Sequence, residues 1–210
     1  REQKRTLVSL QYQKQKPATI ASRRFYEDLF GTHPYASDPS GTEASVAALS
    51  AGDLKEFYRQ YYVASNAVVV IVGDLVEKQA AAIASTLVSQ LPTGKHAGAL
   101  PPVAPLKAAS VDFIEHPSTQ SHVLMGAPGM HRGDVDYFPL YVGNHILGGS
   151  GLVSLISQEV REKRGLSYSA YSNFVPMRRD GPYTLGLQTR NDQRDDAVTV
   201  LRNTLKKFRD

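Results

Sequence analysis

A helix, a glycine and two alternating strands follow one another between residues 152 and 189. The helix is indicated by apolar residues at helical spacing, namely Leu152, Val153, Ile156 and Val160. Gly165 is the natural stop for that helix, and residues 168–175 and 182–189 alternate as strands do. Strands grouped together, with helices before and after them, predict an α+β fold. We expect a two-layer sandwich in which an antiparallel-rich sheet carries helices on one face.

Helical periodicity recurs along the rest of the chain. It covers residues 1–15, 18–30, 54–61, 76–91 and 135–147. Ser50 and Asp53 resemble a capping box at the start of the third of these helices. In the fourth, the apolar residues predicted to face inward are Ala80, Ile83, Leu87 and Leu91. Asp192 is the predicted N-cap of a last helix with an apolar face formed by Ala197, Val198, Leu201, Leu205 and Phe208.

Three more segments read as strands, and one reads as a linker. The β-branched run at residues 67–72 predicts a strand buried on both faces, and residues 110–116 and 121–127 predict two more. Four prolines without periodicity mark residues 92–109 as a semi-rigid linker. We therefore predict two domains, residues 1–91 and 110–210, on either side of it.

Composition excludes several classes of protein. The charge of +4, from 24 basic and 20 acidic residues, is a weak footprint for a nucleic-acid-binding protein. The most apolar run, residues 66–75, is far shorter than a membrane-spanning helix requires. With no cysteine, the chain has neither disulfides nor a Cys-type zinc site. Because its first residue is Arg and an apolar helix face is still running at its end, we expect a segment of a longer protein.

The sequence contains no clear metal-binding or anion-binding motif. None of the six histidines lies four residues from another, so no H-E-x-x-H or H-x-x-E-H helix is present. His116 and His122 lie on successive predicted strands, but without a third ligand at a recognisable spacing a structural role is favoured. The glycine-rich residues 148–151 allow an anion at a helix N-terminus, yet a backbone turn is the favoured explanation.

Arg161 and Tyr168 form the more informative pair. If the helix ends near Gly165 and the strand begins near Tyr168, the turn between them brings a guanidinium beside a phenol. Both groups donate hydrogen bonds, and together they suit a polarised peptide carbonyl. The alternative is that Arg161 interacts with the helix dipole and that Tyr168 is an ordinary strand residue.

The sequence resembles the pitrilysin/insulinase family of inverted zinc metallopeptidases. The matching stretches are residues 33–75, 146–172 and 181–198, and the most specific is VREKRGLSYSAYS, residues 160–172. This resemblance implies two similar α+β halves that close like a clamshell around an unfolded peptide. In the family the first half binds zinc, and the second supplies an Arg and a Tyr, matched by Arg161 and Tyr168, that hold the substrate backbone.

The resemblance also implies where zinc lies. This chain would hold the tail of the first half and the head of the second, with the H-x-x-E-H helix upstream of residue 1. Residues 6–23 contain no Asp or Glu, and Ser9 stands near the position of the family's downstream zinc glutamate. No metal ligand and no cofactor is therefore expected in this segment. Zinc is expected in the parent protein or in a homologous partner subunit.

Three functions follow from this resemblance. The first is a non-catalytic region that holds peptide substrate for a zinc-bearing homologous subunit, as part of a homo- or heterodimer. The second is an active zinc metalloendopeptidase whose zinc half lies upstream, and the third is a structural or assembly protein without cleavage. The segment alone is expected to be inactive. The compartment stays open: periplasmic for a Gram-negative source, cytoplasmic otherwise.

Overall fold

The computed structural model describes residues 1–210 and contains eight α-helices. They are α1 (Glu2–Gln13), α2 (Pro17–Phe30), α3 (Glu43–Ala48), α4 (Ala51–Tyr61), α5 (Glu77–Val88), α6 (Tyr137–Asn144), α7 (Leu155–Ser157) and α8 (Arg194–Arg209). The helices predicted from periodicity are present, although the one predicted from Leu152 consists of a 3₁₀ turn, α7 and a π-helical turn in succession. No helix has both the length and the apolar character needed to cross a membrane. The chain divides into two compact units, one of residues 1–43 and 100–210 and the other of residues 44–99.

The larger unit contains an antiparallel sheet. Its strands are β1 (Gln120–Pro128), β2 (Ala170–Phe174) and β3 (Pro182–Arg190), in the order β1-β3-β2. Three of the predicted strands are thus confirmed, whereas the strand predicted over 110–116 is wrong. Side chains hold that segment instead of sheet hydrogen bonds: Asp112 pairs with Arg24 of α2, and Phe113 lies beneath the guanidinium of Arg194.

The core lies between this sheet and the helices that flank it in sequence. Leu185 and Leu187 of β3 pack with a buried cluster completed by Leu147, Ile156, Val160, Leu166, Ala170, Ala197 and Leu201. The α+β class predicted from the sequence is therefore the observed one. The N-cap prediction for α8 is wrong, because Asp192 lies in a 3₁₀ turn ahead of the helix and its carboxylate accepts hydrogen bonds from Arg190.

The smaller unit contains little buried surface. The predicted capping box of α4 is confirmed, since Asp53 N–H donates to Ser50 Oγ and Ser50 N–H donates to Asp53 Oδ2. The strand predicted over 67–72 is wrong, with Val68 88% and Val72 94% exposed. An extended segment becomes a strand only when a neighbouring strand satisfies its backbone, and residues 44–99 contain no strand. Two predicted inward residues of α5 are also largely exposed: Ile83 and Leu87.

Candidate functional site

A short helix and a wider turn place Arg161. Buried Ser154 caps α7, its hydroxyl accepting a hydrogen bond from the N–H of Ser157 at 3.2 Å. The helix then widens into a π-helical turn, Gln158–Glu162, which contains Arg161. Single π-helical turns occur frequently at functional sites because they redirect one side chain out of the regular helical register.

Gly165 reverses the chain so that it returns toward Arg161. Its φ of 61° lies in the left-handed region, and its N–H donates to Arg161 O at 2.9 Å. The next N–H, of Leu166, donates to Val160 O at 2.9 Å, which completes the closure of the helix. The predicted stop at Gly165 is confirmed, and glycine suits the position because other residues adopt this φ at a cost.

The residues around Tyr168 are fixed to β3. Leu166 O accepts a hydrogen bond from Thr189 Oγ1 at 2.5 Å, and the buried hydroxyl of Ser167 lies 2.7 Å from Gln188 O. Tyr168 follows this anchored pair and is 81% exposed. The ring is therefore presented to solvent from a segment whose backbone is held in place.

The structure brings the two predicted site residues together. Arg161 Cζ lies 4.5 Å from the centroid of the Tyr168 ring, a distance at which a guanidinium is attracted to an aromatic face. No carboxylate lies within ion-pair distance of Arg161. The nearby acid Glu159 is instead bound by Lys163 at 2.5 Å and by Arg164 at 2.6 Å. These hydrogen bonds, first from Lys163 and then from Arg164, lower the pKa of the Glu159 carboxyl.

Sequence reasoning missed a group of residues behind the pair. Asn144 and Ser172 exchange two hydrogen bonds, and Gly148 lies directly against Ser172. A polar pair so far apart along the chain leaves no periodic signal. Gly148 is the one related signal in the sequence, because glycine also allows another part of the chain to approach the backbone closely.

Both histidines singled out earlier are half-buried. Burial, followed by the nearby His116, lowers the pKa of His122. The chain has no group of three or more His, Cys, Asp or Glu side chains placed to hold a metal ion. Ser9 is exposed on α1, where its hydroxyl accepts a hydrogen bond from Gln13 at 3.3 Å. The available ligands therefore do not fit zinc, which in proteins takes at least three such ligands.

The glycine-rich residues 148–151 serve the backbone. Gly151 has a φ of 64°, in the left-handed region, as the backbone turn predicted for these glycines requires. Gly148 is required for a different reason. A Cβ there would lie 2.4 Å from Ser172 Oγ and 2.5 Å from Ser172 N.

The fold and the site define an α+β domain that presents a guanidinium and a phenol without a metal centre among its own residues. Comparison with known proteins identifies the family. Residues 48–210 match the model described as the peptidase M16 inactive domain. The chain belongs to this family, that of the pitrilysin/insulinase metallopeptidases.

Several relatives illustrate the match. An uncharacterized zinc protease of Streptomyces coelicolor is 31% identical over 201 residues, 90% of this chain and 42% of that protein. A non-peptidase homolog from Helicobacter pylori is 28% identical over 193 residues, 90% of this chain and 44% of that protein. The crystal structure of a peptidase M16 inactive domain from Pseudomonas fluorescens is 37% identical with a TM-score of 0.95. It matches 98% of this chain and 50% of that one. The chain thus spans about half the length of such relatives.

Proposed function

We propose that this chain is the peptide-holding, non-catalytic part of an M16 metallopeptidase, in which Arg161 and Tyr168 bind the backbone of an extended peptide. The observation that carries the proposal is the state of Arg161. Its guanidinium is paired with no carboxylate and lies against an exposed aromatic ring. A cation left without a protein anion has its hydrogen-bond donors free for a ligand.

The two side chains supply complementary donors. Arg161 carries N–H groups in a rigid planar fork, and Tyr168 carries a single O–H. A peptide carbonyl oxygen accepts two hydrogen bonds, so one carbonyl can take one from each residue. Negative charge grows on that oxygen when the carbonyl carbon is attacked, and hydrogen bonds from both donors strengthen as it does. The pair would therefore favour the reacting peptide over the resting one.

Zinc in this proposal belongs to the parent protein or to a homologous partner subunit. When bound there, the metal would supply the hydrolytic chemistry, and this chain would supply the hold on the substrate. The name of the Streptomyces relative, an uncharacterized zinc protease, supports zinc in the longer protein. The contribution of residues 1–210 is confined to binding and orienting the peptide.

Peptide binding tests the proposal directly. The probe is an unstructured, unlabelled peptide of Ala, Ser, Thr and Gln with both termini blocked, so that it carries no charge, and its binding is followed by titration calorimetry. We expect saturable binding that Arg161→Ala weakens about tenfold, the effect of losing a charged hydrogen bond. A matched Arg178→Ala variant removes an exposed arginine elsewhere and should bind normally. Equal binding by wild type and Arg161→Ala would refute the proposal.

A structural or assembly role is the second candidate. The Helicobacter relative, named a non-peptidase homolog, favours it. A purely structural module has no need to bind an extended backbone, so wild-type protein that fails to bind the blocked peptide would support this alternative.

A further inference from the structure

Two hydrogen bonds between Asn144 and Ser172 close a loop that contains both Arg161 and Tyr168. Asn144 Nδ2 donates to Ser172 O at 3.2 Å, and Ser172 Oγ donates to Asn144 Oδ1 at 2.7 Å. Asn144 is the last residue of α6, and Ser172 is the middle residue of β2, where it is 2% exposed. Each of the two residues thus donates one hydrogen bond to the other and accepts one from it.

The backbone after Asn144 is pressed against the same strand. A π-helical turn, His145–Gly149, follows α6, and a Cβ on Gly148 would meet Ser172 as well as Ile156 Cδ1 at 2.9 Å. Ile156 belongs to α7 and is fully buried. Strand β2, this turn and α7 are therefore in direct contact around Ser172.

The position of Ser172 explains why it needs this partner. The strand order β1-β3-β2 leaves β2 at the edge of the sheet. The Ser172 carbonyl points away from β3, where no neighbouring strand can donate to it. Asn144 Nδ2 supplies the hydrogen bond instead. A buried carbonyl without such a partner would be costly, so the contact fixes where α6 and the turn sit on β2.

The contact between Asn144 and Ser172 is connected along the chain to both site residues. From Asn144 the chain runs through α7 to Arg161, and from Ser172 it runs back along β2 to Tyr168. We propose that Asn144 and Ser172 are positioning residues, which set the distance between the Arg161 guanidinium and the Tyr168 ring. The inference rests on the proposed function only for its effect on peptide binding.

The first measurement needs no peptide. An arginine stacked on a tyrosine ring shows an upfield ring-current shift of its Cδ protons, and NMR resolves that shift in wild-type protein. Asn144→Ala, which loses both hydrogen bonds, should abolish much of the shift. Ser172→Ala keeps the donor to the Ser172 carbonyl and loses only the bond from Oγ, so it should give an intermediate shift and serves if Asn144→Ala folds poorly.

A buried hydroxyl elsewhere in the unit is the control. Thr204 lies on α8, outside the loop between Asn144 and Ser172, and its Oγ1 donates to Val200 O at 2.8 Å. Thr204→Ala removes this hydroxyl without touching the loop and should leave the Arg161 signals unchanged. An unaltered ring-current shift in Asn144→Ala and Ser172→Ala, or an equal loss in Thr204→Ala, overturns the inference.

Peptide affinity supplies the second readout. With the blocked peptide, Asn144→Ala should bind about five- to tenfold more weakly than Thr204→Ala, because a misplaced guanidinium loses much of one charged hydrogen bond. If wild-type protein binds no peptide while the ring-current shift still collapses in Asn144→Ala, the proposed function falls and the positioning role stands.

Discussion

Arg161 lies with its guanidinium carbon 4.5 Å from the centre of the Tyr168 ring, across the reversal of the chain at Gly165. The ring therefore does two things at once. Its face contacts the cation, and in the proposed function its hydroxyl would donate a hydrogen bond to the peptide. Substitutions separate these two contributions because phenylalanine keeps the face and loses the hydroxyl.

Tyr168→Phe should lower turnover in the parent protein or reconstituted complex while leaving folding almost unchanged. The lost donor acts where charge develops on the carbonyl oxygen, so the expected loss is about 10²–10³ in kcat, or about 2.7–4 kcal/mol. Steady-state kinetics with thermal melts measure both effects. Tyr171→Phe is the control, since Tyr171 lies on β2 with its ring over Gly186 and should be nearly silent. Equal rates for wild type and Tyr168→Phe would contradict the donor role.

Arg161→Lys should also weaken peptide binding, although it preserves the charge. An ammonium lacks the planar fork and stacks poorly on an aromatic ring, so both the hydrogen-bond geometry and the contact with Tyr168 are lost. Titration with the blocked peptide measures the change, which we expect to approach that of Arg161→Ala. A lysine variant that binds like wild type would show that charge alone suffices.

Gly165→Ala should destabilise the protein by about 1–2 kcal/mol, because φ at this position is 61° and a Cβ is unfavourable there. Nothing lies within 4 Å of the Cβ position, so the cost is conformational and not steric. Gly98 is the matched control: its Cβ position is equally open, and its φ is not left-handed. Denaturant unfolding compares the two variants. Equal stabilities for Gly165→Ala and Gly98→Ala would rule out the strained turn.

Stability should fall as the pH drops below about 6.5, the ordinary pKa of histidine. The pKa of His122 is lowered in the folded protein, by burial and then by His116, so the unfolded chain takes up the proton first. The stabilisation is complete above the unfolded value and is lost as the pH falls through the folded one. Urea melts at several pH values should show the slope, which His122→Gln should reduce and the exposed-site variant His96→Gln should not.

Purified protein should retain much less than one equivalent of zinc. The chain places no three metal-ligating side chains together, and two histidines alone bind zinc weakly. The measurement is elemental analysis after zinc loading and dialysis. One tightly held equivalent would contradict the expectation and would make His116 and His122 the first residues to substitute.

The features that the sequence predicted correctly are those set by residues close together along the chain. Gly165 as a helix stop and the alternation on either side of residues 176–181 are short-range patterns, and they placed Arg161 beside Tyr168 correctly. Residues 67–72 have the composition of a strand, but a strand also needs a neighbour, and composition does not report one. The hydrogen bonds between Asn144 and Ser172 join distant parts of the chain through common polar residues, so no local pattern marks them.

The pairing of Glu159 with Lys163 and Arg164 bears on which peptides the site would accept. Glu159 pairs with Lys163 and Arg164, and Glu162 adds a second negative charge, so these four residues sum to zero and Arg161 is not part of a basic patch. Attraction to acidic side chains should be weak, and added salt should screen little of the binding. Under the proposed function, a receptor of this kind would respond to the carbonyl groups that every polypeptide shares and would tolerate peptides of widely different sequence.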